Sequence, residues 1–207
     1  MRVIDVAQGS DEWLAARLGV PSASSYGKLI TPTGRRAKTF DSYVQQLIEE
    51  KITGLLDRIP QNDAMARGTE LEPHARAYYE FMTDNEVVEM GFIKHDTLEA
   101  GCSPDGFVGD DGGIEIKCPL EHNHQKTLDM QQMPPRHYPQ VQGCMWITGR
   151  KWWDFVSYHP EMDSFITRVE RDDEYINKLA EAVYDACLAI EKATIYGVVM
   201  SDYDNRG

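Results

Sequence analysis

At 207 residues the chain is long enough for one α/β domain, and with 34 acidic against 21 basic residues its net charge of −13 leaves no broad basic surface of the kind that nucleic-acid binding normally requires. No apolar run approaches the roughly 20 residues of a membrane span and no early run reads as a signal peptide, so residues 1–207 are expected to form a single cytoplasmic domain with no membrane partner. Cys102, Cys118, Cys144 and Cys187 lack Cys-x-x-Cys spacing, which argues against zinc and iron–sulfur sites and leaves reduced core thiols.

Ser10 reads as the N-cap of a short helix with Asp11 and Glu12 in its first turn and Gly19 as its stop, burying Trp13, Leu14 and Leu18 and carrying Arg17 near its end. After Pro21, Ser22 or Ser24 caps a second short helix running towards Ile30. The loop 31–38 then gathers Arg35, Arg36 and Lys38, a candidate DNA contact in a first third that is close to charge balance. Tyr43, Val44, Leu47, Ile48 and Ile52 recur at helical spacing up to Gly54. Residues 63–82 are helical again, with Leu71, Ala75, Tyr78, Tyr79 and Met82 on one face and Pro73 implying a kink or a fresh start near Thr69. In that setting Thr69-Glu70-Leu71-Glu72 fits a capping box, a structural use for Glu72.

Strands are expected over 86–95, across a hairpin within 103–117, and over 152–159 and 165–170, giving a mixed sheet. Helices over 120–131 and 135–147 separate the hairpin from the later strands, with His122-Asn123-His124 read as a polar loop. Ile176, Leu179, Val183, Ala186, Cys187 and Ile190 mark a long amphipathic helix to Gly197 whose other face is acidic and solvated.

The chemistry concentrates in residues 103–117. Asp110-Asp111-Gly112-Gly113 is a turn signal between short alternating segments. Asp105 and Glu115 are equidistant from Asp110, so antiparallel pairing sets them opposite each other, where two like charges repel. Period-two alternation turns Glu115 and Lys117 to the face away from Ile114 and Ile116. An Asp and a Glu meeting there suit Mg²⁺ or Mn²⁺, with Lys117 beside the ion at a lowered pKa. Symmetry about the same turn makes Cys102 and Cys118 neighbours. Gln140 and Gln142 follow on a helix whose alternate residues face apart, so one of the two is expected in the site.

Pro-Asp followed by Glu-x-Lys resembles the PD-(D/E)xK nuclease superfamily, whose core is a central mixed β-sheet flanked by helices. Taken in order, Trp13-(x)3-Arg17-Leu18-Gly19-Val20-(x)2-Ala23-Ser24, Gly68-(x)3-Glu72, Cys102-Ser103-Pro104-Asp105-Gly106, Glu115-Ile116-Lys117-Cys118-Pro119 and Gln140-Val141-Gln142-(x)2-Met145-Trp146 resemble the lambda-type phage exonucleases, also called YqaJ-like viral recombinases. The resemblance implies a 5′-to-3′ double-strand DNA exonuclease used in recombination, a homotrimeric ring on linear duplex DNA working beside a single-strand annealing protein in the host cytoplasm. It implies two Mg²⁺ per active site, one held by Asp105, Glu115 and the Ile116 carbonyl and a second by Asp105 and Glu72, with Mn²⁺ able to substitute. Lys117 and Gln140 address the attacking water; Arg17, Ser24 and Ser103 take the 5′-phosphate; Met65 wedges the duplex end. A site-specific endonuclease on the same core and an inactive DNA-binding module are the alternatives.

Overall fold

The apolar runs of the two central strands build the middle of a five-stranded sheet, in a computed structural model that describes residues 1–56 and 63–204. In chain order the elements are β1 (Arg2–Ile4), α1 (Asp11–Arg17), a 3₁₀ helix Ala23–Lys28, α2 (Phe40–Thr53), α3 (Asp63–Thr83), β2 (Val87–Val88), β3 (Phe92–Lys94), β4 (Gly101–Cys102), β5 (Gly106–Val108) and β6 (Gly112–Lys117). There follow α4 (Glu121–Met130), a 3₁₀ helix Pro135–His137, α5 (Tyr138–Thr148), β7 (Trp152–Ser157), β8 (Phe165–Glu170) and α6 (Asp173–Asp204).

The large sheet has the order β2-β5-β6-β7-β8, with β6 and β7 parallel and the other neighbours antiparallel. This is the mixed, helix-flanked sheet expected. The parallel pair needs a crossover, which α4 and α5 supply. One face packs Ile114, Ile116, Val108 and Val156 against Ala75 and Tyr79 of α3. The other packs Phe107 and Trp153 into the main core, with residues of α2, α5 and α6. A small sheet, β1-β3-β4, lies beside it.

Several expectations are corrected. The strand expected over 86–95 divides between the two sheets: Val87–Val88 pairs with β5, whereas Phe92–Lys94 pairs with β1 and β4. Gly91 permits this, because a Cβ there would stand 2.4 Å from the Ile4 carbonyl oxygen. Gly112 and Gly113 belong to β6, and the turn is made by Gly109 (φ +53°), Asp110 and Asp111. The two glycines are needed for space: a Cβ on Gly112 would lie 2.0 Å from the Trp152 ring and one on Gly113 2.3 Å from that of Trp153.

Helix α3 runs unbroken through Pro73, and Thr69 donates from its hydroxyl to the Met65 carbonyl, so no fresh start or capping box exists at Thr69. Ser10 does cap α1, accepting from the Trp13 N–H at 3.1 Å, but Trp13, Leu14 and Leu18 are only half-buried. Ser22 occupies the cap position of the first 3₁₀ helix without using its side chain as a cap. Ile52 and Met82 are exposed, and α6 continues past Gly197. The expected polar loop at His122–His124 is the first turn of α4; His124 is fully buried, bonded to Ser157 Oγ at 2.8 Å and to the Asp163 carbonyl at 2.9 Å. Cys102 lies in β4 and is buried in the same core cluster as Cys144 rather than neighbouring Cys118 in the hairpin; all four thiols are free. No helix among the described residues is long and apolar enough to cross a membrane.

Candidate active site

The β5–β6 register pairs Gly106 with Ile114, which sets Asp105 across from Glu115 as the symmetric count requires. Asp105 Oδ2 accepts the Ile116 N–H at 2.6 Å, tying the carboxylate to the strand that carries its partner. Glu115 is fully buried; its Oε1 accepts from Gln140 Nε2 at 2.6 Å and forms an ion pair with Lys117. Gln142 turns away, bonding to the Glu170 carbonyl at 2.8 Å and the Asp172 N–H at 3.0 Å, so Gln140 is the glutamine of the site. Glu72 arrives from α3, held by Arg76 at 2.9 Å, and Arg76 also reaches Glu89 at 2.5 Å. Glu72, Asp105, Ile116 and Lys117 line one cleft of about 420 Å³, with Met65 at its wall.

The charges in this cleft strain against their surroundings. Burial pushes the Glu115 carboxyl up to about 7, with Lys117 opposing and Asp105 and Glu72 adding to the rise. Burial likewise raises Asp105 and Glu72. For Lys117, burial pulls the ammonium down, but Glu115, Asp105 and Glu72 together outweigh it and hold it above its ordinary range. The expected lowering is therefore reversed among the protein's own groups, because three carboxylates face one lysine.

The second oxygen of Glu115, Oε2, is buried and has no hydrogen-bond partner among the described residues. An unsatisfied buried carboxylate oxygen is costly, and a hard divalent cation is what relieves it. Among the described residues no three His, Cys, Asp or Glu side chains group closely enough to hold an ion unaided. Mg²⁺ does not require that, since it is commonly held by one or two carboxylates with water and phosphate completing its shell. The donor set therefore fits Mg²⁺ or Mn²⁺, with Asp105 and Glu115 as its anionic core.

A second cluster forms around Arg17. Its Nη2 donates to Ser22 Oγ at 3.1 Å and Ser24 Oγ at 3.2 Å, and its guanidinium lies over the Trp13 ring at 4.0 Å. Trp13 Nε1 in turn donates to Ser103 Oγ at 2.9 Å, two residues before Asp105. Arg17 and Ser24 are thus in direct contact, with Ser22 beside them, and Ser103 is linked to Arg17 through Trp13. Burial lowers the Arg17 pKa against the pull of Tyr43 and Glu50, and no carboxylate among the described residues lies within ion-pair distance of it. A guanidinium with hydroxyls for neighbours is a ready seat for a phosphate. Arg35 and Arg36 are not brought to the cleft: Arg36 pairs with Asp41 at 2.8 Å and lies on Phe40, and Arg35 is exposed in the turn 31–35.

Arg76, Arg67, Arg136 and His137 went unread in the sequence. Arg67 donates to the Cys118 and Pro119 carbonyls at 2.9 and 3.0 Å, fixing the exit of β6; Arg136 and His137 line the carboxylate cleft. Only the position of Arg76, one helical turn after Glu72, gave a signal.

A mixed sheet whose central hairpin carries Pro-Asp and Glu-x-Lys into one cleft defines the PD-(D/E)xK class. The YqaJ-like viral recombinase domain matches residues 12–151, and the chain belongs to that family. It is similar to an alkaline exonuclease from Laribacter hongkongensis, LHK-Exo, at 40% identity over 94% of this chain and 99% of that one, with a TM-score of 0.86. LHK-Exo in complex with dAMP gives 39% identity over the same shares and a TM-score of 0.84. A phage related exonuclease from Haemophilus somnus 129PT, 17% identical over 84% of this chain and 94% of that one, shares the fold at a TM-score of 0.63. No curated protein matches.

Proposed function

We propose that the protein is a Mg²⁺-dependent exonuclease that enters linear double-stranded DNA at a 5′ end, releases 5′-mononucleotides and leaves a 3′ overhang for recombination by strand annealing. The observation that carries this is Glu115, fully buried with one oxygen unpartnered among the described residues and ion-paired to Lys117, which lines a cleft with Asp105 and Glu72. Membership of the viral recombinase family and 40% identity to an alkaline exonuclease support nuclease chemistry, and a dAMP complex of that relative matches the product expected here.

Asp105, Glu115 and the Ile116 carbonyl would hold one Mg²⁺ and Asp105 with Glu72 a second, Mn²⁺ substituting. When bound, such a pair stabilises charge on the attacking and leaving oxygens of an in-line displacement. Lys117 and Gln140, both bonded to Glu115 Oε1, orient the water that attacks. Arg17, Ser24 and Ser103 hold the terminal 5′-phosphate and thereby choose the strand end. Met65 is the apolar wedge at the duplex end, and Arg35 and Arg36 contact the duplex further along. A ring of three subunits would keep a chain of net charge −13 on its substrate topologically, beside an annealing protein in the host cytoplasm.

Linear duplex DNA with and without 5′-phosphates, incubated with Mg²⁺ and followed by product sizing, tests the reading. Mononucleotides released faster from phosphorylated ends are expected. Cleavage of a closed circular duplex would point to an endonuclease instead, and light scattering should return a mass near three subunits.

A further inference from the structure

The wall of the cleft formed by the 3₁₀ helix Pro135–His137 has no task in the scheme above. Arg136 is exposed, lines the cleft with Asp105 and Lys117, and has no carboxylate within ion-pair distance among the described residues. Its Nε–H donates to His137 Nε2 at 3.1 Å. Arginine can only donate, so Nε2 must be unprotonated and the imidazole proton must reside on Nδ1. The ring is half-buried over Phe155, centroids 5.3 Å apart, and burial with Lys117 and Arg136 nearby pushes its pKa down to about 3, so it stays neutral. Among the described residues Nδ1–H has no protein acceptor. The wall therefore presents one permanent cation and one oriented neutral donor to a cleft dominated by carboxylates.

We infer that Arg136 and His137 together hold a non-scissile phosphodiester of the DNA strand seated in the cleft, Arg136 by its charge and His137 by its Nδ1–H. The pairing divides the labour: the arginine secures its neighbour's tautomer through Nε and keeps its two terminal nitrogens for the phosphate. A strand passing Asp105, Glu115 and Glu72 meets repulsion that metal at the scissile phosphate does not relieve at the next one along, and Arg136 supplies the missing charge.

The inference rests on the nuclease reading and is tested on the full-length protein with a linear duplex, Ca²⁺ replacing Mg²⁺ for binding and Mg²⁺ restored for turnover. For wild type, log Kd is followed against log[KCl] from about 50 to 200 mM. Arg136→Ala should lower the slope by about 0.7 to 0.9, the value of one phosphate contact, and raise Kd about fivefold. Arg136→Lys should restore the slope. His137→Phe, which keeps an aromatic ring over Phe155, should weaken binding about threefold with the slope unchanged, because a neutral donor releases no counterion. In turnover both losses should fall on KM more than on kcat. A wild-type slope in Arg136→Ala, or a loss confined to kcat, overturns the assignment while leaving the nuclease intact. A wild type that neither binds nor cleaves the duplex sinks the nuclease reading itself.

Discussion

Asp154 and Glu115 sit one register step apart on the two central strands, both almost or wholly buried, and their surroundings treat them oppositely. Asp154 faces α3, whose Tyr79 hydroxyl donates to it at 2.7 Å, and Arg168 of the adjacent strand β8 grips it through Nε and Nη2 at 2.9 Å each. Both its oxygens are served. Glu115 faces the other side of the sheet with Oε1 shared by Gln140 and Lys117 and Oε2 unserved. Folding tolerates a buried carboxylate when its partners are complete; one left incomplete is destabilising, and its retention signals a ligand. The contrast separates a residue that holds the sheet together from one that the sheet holds ready.

Substitution should expose that difference. Glu115→Gln is expected to lower cleavage of linear duplex by about a thousandfold or more, in line with the loss of a principal charge at a reacting centre, while the folded state without metal persists. Calorimetry beside a cleavage assay reads both, and near-normal turnover would remove Glu115 from the chemistry. Asp154→Asn should do the reverse, lowering stability by about 2 kcal/mol, moderated by the partial exposure of Arg168, with turnover per folded molecule within a few fold of wild type. Should it abolish cleavage without lowering the melting temperature, the two carboxylates would not divide as stated.

Arg17→Ala is expected to reduce any preference for 5′-phosphorylated over 5′-hydroxyl ends by about tenfold, the worth of one charge-assisted hydrogen bond. Equal wild-type rates on both ends would unseat the Arg17 pocket.

The smallest effect is in the pH profile of the metal-free protein. Glu115 titrates near 7 when folded, above its ordinary 4.5, so its contribution to stability is fully present below the unfolded value and lost as pH rises through about 7. Wild type should therefore melt a few degrees lower at about pH 8 than at about pH 5.5 relative to Glu115→Gln, and Mg²⁺ should restore more at the higher pH. A difference curve that is flat across this range would mean that Glu115 does not carry the burden assigned to it.

Much of this arrangement was readable because short antiparallel pairing obeys counting: Asp105 and Glu115 add to the same sum about Asp110, and the hairpin had little freedom to do otherwise. Arg17, Ser24 and Ser103 came from family resemblance, since nothing in their spacing foretells that Trp13 bridges them. Strands of two or three residues such as β1 and β4 are too short to leave a period. Gln140 could not be told from Gln142 because the choice depends on partners of Gln142 far along the chain, Glu170 at the end of β8, 28 residues away, and Asp172, 30 residues away. Arg136 and His137 were missed because an exposed arginine and a half-buried histidine gain meaning only from the cleft that distant strands build around them. The Gly112-Gly113 pair misled most directly: a glycine chosen for a turn and one chosen for close approach look alike in a sequence.

That glycine pair has a further effect on the fidelity of assembly. If β6 slipped by one residue against β7, Ile114 would come to stand where Gly113 now leaves room for the Trp153 ring, and every side chain of the strand would change faces. Glu115 would then point into the apolar layer beside Tyr79 and Asp154. The two indoles therefore act as a size gauge that accepts only the register in which the carboxylate reaches its cleft, and a misaligned chain is rejected by bulk before any metal or DNA is present to favour the correct one.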